Sequence, residues 1–121
     1  MKKAKILIVE DEAIIALNIK MVLENSGYEV LPLVFNAEKA FQSAVTNKPD
    51  VILMDIQLQG KQDGIDAASK ILDEYEVPII YITGNIDMLK DVRLIKTSRL
   101  KILEKPPSDW ELLEAVEEFV K

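Results

Sequence analysis

Asp55 closes an apolar run, Val51-Ile52-Leu53-Met54-Asp55-Ile56, with no opposite charge close by in the sequence. Burial of a carboxylate at such a place is unfavourable unless it serves a purpose. Four more residues of reactive type stand behind comparable β-like runs: Glu10 and Asp11 after Ile6-Leu7-Ile8-Val9, Thr83 after Tyr81-Ile82, and Lys105 after Leu100–Glu104. Taken singly, an acid after a strand reads as a helix cap or a solvated loop charge. Taken together, they supply three acids, a hydroxyl and an amine. Carboxylates drawn within about 4 Å repel by roughly 4 kcal/mol per pair at an effective dielectric near 20, enough to raise a pKa by several units. A divalent cation with hard oxygen ligands offsets that repulsion, and Mg²⁺ suits a site of carboxylates, retained waters and an incoming phosphate. A nucleophilic Asp, a cation and donors for new charge are the parts of phosphoryl transfer to a carboxylate.

Composition narrows the chemistry further. The chain has no cysteine and no histidine, which removes disulfides, thiolate catalysis, cysteine-based zinc sites and the commonest general base. A length of 121 residues matches one domain, expected over residues 1–121 with no effector attached. Hydrophobic residues at 49% and charged residues at 30% describe a folded globular protein. The apolar runs are strand-sized and far below the 18 or so residues of a membrane span. Glu10, Asp11 and Glu12 interrupt the first run too early for a signal peptide, so a cytoplasmic location is expected. A net charge of −6 with scattered Lys and Arg disfavours direct nucleic-acid binding and points to a protein partner.

To bring these residues together, the chain needs elements whose ends meet. Short β-like runs alternate with longer helical stripes, the pattern of repeated βα units. Strands are expected at Lys5–Glu10, Glu29–Val34, Asp50–Asp55, Pro78–Thr83 and Leu100–Glu104. Five helices should join and follow them and cover both faces of a parallel sheet. The first helix should run from Glu12 to Asn25 and stop before Gly27. The fourth falls around Asp87 to Lys96, with Met88, Leu89, Val92 and Ile95 as its apolar side. The last opens on a Ser108/Glu111 capping box and carries an apolar stripe of Leu112, Leu113, Val116, Phe119 and Val120. The first, third and fourth strands are nearly continuous Val, Ile and Leu and belong in the middle. Pro32 puts the second at an edge, and the fifth is more polar. The expected order is therefore 2-1-3-4-5, a doubly wound α/β sheet of the flavodoxin type, whose working site lies beyond the carboxyl ends of the strands.

Four segments, each at a strand end and in this order, carry a resemblance that covers essentially the whole chain. They are Ile6-Leu7-Ile8-Val9-Glu10-Asp11-Glu12, Leu53-Met54-Asp55-Ile56, Tyr81-Ile82-Thr83-Gly84 and Leu103-Glu104-Lys105-Pro106. Together they resemble the receiver domains of two-component response regulators. The resemblance implies a CheY-like fold in which Asp55 accepts a phosphoryl group from the phosphohistidine of a sensor histidine kinase. It implies that Mg²⁺ (or Mn²⁺) is held by Asp11, Asp55 and the backbone carbonyl of Gln57, with Glu10 acting through water. Thr83 and Lys105 would hold phosphoryl oxygens, and the Lys105-Pro106 bond would be cis. Gln57 and Asn85 stand at the positions through which family members tune dephosphorylation. A downstream protein target is implied, and a homodimer is open.

The chain departs from the family pattern in three places. The first acid is Glu10, where Asp is more common. The segment from Asp55 to Gly64 carries one extra residue, Lys61 or a neighbour, and has Gln59 where proline is frequent. Ile102 occupies the position of the switching aromatic ring, which leaves output through the neighbouring face in question. The competing reading keeps the fold as a protein-binding module that is not phosphorylated. An aspartyl phosphatase would want an acid at Gln57, and a dinucleotide binder would want a Gly-rich loop after the first strand, where three acids stand instead.

Overall fold

The computed structural model describes residues 3–58, 63–84 and 99–120. Five parallel strands, β1 (Lys5–Val9), β2 (Glu29–Val30), β3 (Val51–Asp55), β4 (Ile79–Thr83) and β5 (Leu100–Glu104), form one sheet in the order β2-β1-β3-β4-β5. This is the order that strand composition implied. Strand side chains alternate between faces, and the register aligns them into rows. Leu7 lies opposite Ile52, and Ile52 opposite Ile79, on the face covered by α2 (Ala37–Asn47) and α3 (Gly64–Glu74). Ile8, Leu53 and Ile80 form the matching row on the other face, under α1 (Ala13–Asn25) and α4 (Asp109–Val120). Each fully buried Val, Leu or Ile of these rows is worth about 1.5–3 kcal/mol relative to exposure, so the central strands hold the rim in place.

The helices begin and end where local chemistry dictates. Gly27, at φ +94, closes α1 with the N–H of Gly27 donating to Glu24 and that of Tyr28 donating to Leu23. Asn36 caps α2 through the N–H of Lys39, and Asp63 caps α3 through that of Asp66. The Ser108/Glu111 capping box forms reciprocally: Glu111 N–H donates to Ser108 Oγ at 3.1 Å and Ser108 N–H donates to Glu111 Oε1 at 3.0 Å.

Two expectations are corrected. β2 pairs over Glu29–Val30 alone: the N–H groups of Glu29 and Leu31 donate to Ala4 O and Ile6 O, but the next donor to β1 is Val34, to Ile8 O, where regular alternation would place Leu33; the chain rejoins β1 only through a bridge between Val34 and Val9. β1 stops at Val9 and α1 starts at Ala13, with Glu12 as its N-cap. Four helices are present among the described residues. The helix expected around 87–96 lies outside them, as do Gln59 and Lys61.

Candidate functional site

β1, β3, β4 and β5 all end at one rim, and each delivers one of the reactive residues. Glu10 follows β1, Asp55 ends β3, Thr83 ends β4, and Lys105 follows β5. Glu10, Asp55 and Thr83 are only 1%, 2% and 3% exposed and are the buried polar side chains among the described residues. Main-chain bonds fix the frame: Glu10 N–H donates to Val34 O, Ile56 N–H to Ile82 O, and Lys105 N–H to Thr83 O at 2.8 Å. Asp55 pairs with Ile82 in the β3/β4 register, which places Thr83 one residue further along the same rim.

The Asp55 carboxylate is held at both oxygens. Oδ1 accepts the main-chain N–H of Gln57 at 3.0 Å, and Oδ2 lies 3.0 Å from Lys105 Nζ. Lys105 therefore reaches across the end of β4 to the end of β3, two strand spacings or roughly 10 Å away, and continues to Glu10 Oε1 at 2.9 Å. Glu12 Oε1 stands 4.0 Å off on the solvent side. Burial works against the charge of Lys105, but its pairing with Glu10 and Asp55 outweighs this and raises its pKa. Glu10 moves the other way in charge: burial is the largest influence and, with the nearby charge of Asp55, pushes its carboxyl up to about 7, against the lowering effect of the Glu12 N–H and Lys105.

These groups fit a divalent cation. One carboxylate oxygen from each of Glu10, Asp11 and Asp55 lies within 4.8 Å of the others. Glu10 Oε2 is satisfied by the Glu12 N–H at 3.0 Å, whereas buried Oε1 has only the charge of Lys105 and no hydrogen bond of acceptable geometry. A buried anionic oxygen left in that condition, beside two more carboxylates, suits a hard cation such as Mg²⁺.

The sequence profile of the response regulator receiver domain matches residues 6–117. The chain belongs to this family. Among proteins similar to this receiver is the transcriptional regulatory protein PdtaR of Mycobacterium tuberculosis, 33% identical over 115 residues, which are 93% of this chain and 55% of that protein. The chain thus spans about half the length of that relative. The signal receiver domain of a modulated diguanylate cyclase from Desulfovibrio desulfuricans superposes with a TM-score of 0.88 at 32% identity, over 98% of this chain and 94% of that one. The receiver domain of the PhyR response regulator from Erythrobacter litoralis does so at 0.86 and 25%, over 99% and 92%.

The structure gathers Glu10, Asp11, Asp55 and Lys105 directly and sets Thr83 beside them. Gln57 contributes its N–H to Asp55 while its side chain is exposed. The Lys105–Pro106 peptide is cis. Asn85 lies outside the described residues. Ile102 is half-buried, opposite Tyr81 in the β4/β5 register, and both belong to the α2/α3 side of the core. Sequence reasoning missed Gly64. A Cβ there would stand 2.0 Å from the backbone oxygen of Asp55 and 3.0 Å from Ile56 Cα, while Gly64 N–H donates to Ile56 O at 2.7 Å. The start of α3 is packed directly under the end of β3. Asp63-Gly64 reads in sequence as a turn, and nothing in that pair discloses the contact.

Proposed function

We propose that this receiver accepts a phosphoryl group on Asp55 from the phosphohistidine of a sensor histidine kinase and passes the signal on through a change in its surface. The supporting observation is the Asp55 carboxylate itself: almost fully buried, held by Gln57 N–H and Lys105, and adjacent to two further carboxylates. Each held oxygen retains a lone pair for attack. A bond forms from that oxygen to phosphorus as the P–N bond to the donor imidazole breaks, and the leaving imidazole takes up a proton. Asp11, Asp55 and the Gln57 carbonyl would hold Mg²⁺ or Mn²⁺, with Glu10 acting through water. When bound, the cation supplies positive charge beside the moving oxygens.

The chain's own groups do the remaining work. Lys105 follows the charge from the carboxylate to the phosphoryl oxygens with its Nζ already in place. Thr83 donates its hydroxyl to the same group. The exposed Gln57 side chain, with Asn85, is suited to orient the water that later attacks phosphorus. Residues 1–121 act as one receiver module, and among the described residues no helix is long and apolar enough to cross a membrane. We place this module in the cytoplasm, with a downstream protein target and no direct nucleic-acid contact.

Intact-mass spectrometry after acetyl phosphate treatment tests this reading. Wild type should gain one phosphoryl group only with Mg²⁺ present, and Asp55→Asn should gain none. The second reading, a binding module that is never phosphorylated, draws on Ile102, which packs as an aliphatic core residue where a switching ring would stand. An unlabelled wild type would decide for it.

A further inference from the structure

We propose that Glu12 determines which phosphodonors this site accepts: its carboxylate stands on the solvent side of Lys105 and favours donors that lose a protonated nitrogen over anionic acyl phosphates. This deepens the phosphoacceptor reading of Asp55 and rests on it.

Glu12 is the N-cap of α1, a position that prefers Asn, Asp or Ser because a short side chain can accept from the first free N–H groups of the helix. The main chain of Glu12 does the work of that position. Its N–H donates to Glu10 Oε2 at 3.0 Å, and its carbonyl accepts from Ala16 N–H at 3.0 Å. The side chain makes no capping hydrogen bond; instead Oε1 stands 4.0 Å from Lys105 Nζ. An acid at a helix start ordinarily needs no role beyond favouring the helix dipole, but that role sets no direction for the side chain. This one reaches toward the ammonium that holds Asp55. An exposed pair at that distance adds little to stability, so its consequence lies in what approaches Lys105.

The burial of the three acids around Nζ fixes the direction of approach. The side chains of Glu10 and Asp55 are each 2% exposed, that of Lys105 is 16% exposed and that of Glu12 is 65% exposed. Glu10 and Asp55 take up the buried side of Nζ, and a phosphoryl group that reaches Lys105 from solvent comes in past Glu12. In-line displacement then sets the leaving atom opposite the attacking oxygen, hence outward, because Asp55 is buried. As the bond from Asp55 to phosphorus forms, the bond to the leaving atom breaks and its electron pair goes with that atom. A nitrogen leaving group takes the pair together with a proton, so it brings positive charge to the mouth and departs neutral. An acyl phosphate releases a carboxylate, adding negative charge where Glu12 already stands. Glu12 attracts the first class and repels the second.

Initial rates of labelling by phosphoramidate and by acetyl phosphate, each below saturation with Mg²⁺ and read by intact mass, measure this choice. Phosphoramidate carries a protonated amine and acetyl phosphate does not. One unit of charge about 6 Å away in water changes a rate about threefold. Glu12→Gln should therefore raise the ratio of acetyl phosphate to phosphoramidate rates about threefold, and Glu12→Lys about tenfold. Both shifts should shrink at high salt. Glu24→Gln removes the same charge roughly 18 Å along α1 and should keep the wild-type ratio. A purely structural role for Glu12 would change both rates together and leave their ratio alone. An unchanged ratio in Glu12→Gln, or a shift indifferent to salt, would overturn the role of Glu12 while leaving Asp55 as the acceptor. Wild type unlabelled by either donor would overturn the phosphoacceptor reading, and the role of Glu12 with it.

Discussion

Glu10 is placed where an acid is least comfortable, under the rim with Asp55 on one side and the ammonium of Lys105 2.9 Å away. Its carboxyl is raised from 4.5 to about 7, so the folded state holds its proton more strongly than the unfolded chain does. The sign follows from linkage: this group's contribution is complete below about pH 4.5 and is lost as pH rises through 7. In the absence of divalent cation, Glu10→Gln should therefore be more stable than wild type at pH 8 by about 1–3 kcal/mol, with the difference closing at pH 5. Urea denaturation in chelator at the two pH values measures it, and an unchanged difference would show that Glu10 titrates normally. The acids were legible in the sequence because each follows an apolar run. The reach of Lys105 past β4 to two carboxylates was not, since it depends on side-chain length measured against strand spacing.

At the scale of elements, the junction of β3 and α3 is the tightest fit near the chemistry. Gly64→Ala should cost about 1–3 kcal/mol through overpacking, because the atoms in the way are the backbone of Asp55 and Ile56 rather than a yielding side chain. If Asp55 is the acceptor proposed above, the same change should also slow acetyl phosphate labelling, because it displaces the backbone of Asp55. Thermal unfolding with a labelling time course checks both, and a variant as stable and as readily labelled as wild type would refute the argument. The central strands were readable because both of their faces are covered and nearly every position is apolar. β2 was overextended because Leu31, Leu33 and Val34 are strand-like in composition, whereas the hydrogen bonding to β1 steps from Leu31 to Val34, a break in alternation that composition does not show. The capping boundaries of α1 and α4 followed from Gly27 and Ser108, whose effects are local.

For the whole molecule, binding of a cation at the rim would be coupled to folding, because the three carboxylates meet only when β1 and β3 are paired. Mg²⁺ at about a hundred times its dissociation constant should add about 2.7 kcal/mol of stability. Asp11→Asn and Asp55→Asn should each abolish most of that gain. Melting temperature followed against Mg²⁺ concentration is the measurement, and equal gains in both variants would place the cation elsewhere. The strand order was legible as a whole-molecule property, since polarity separates edge from centre. The outward position of Ile14, Leu17 and Met21 on α1 was not, because periodicity alone does not say which of two apolar stripes the sheet will claim. At the β2 margin, Glu29 and Leu31 spend their N–H groups on β1, and alternation puts the next outward donor at residue 32, a proline. A foreign strand has little there to grip, so crowded copies of this molecule should resist fibrous self-templating along that border.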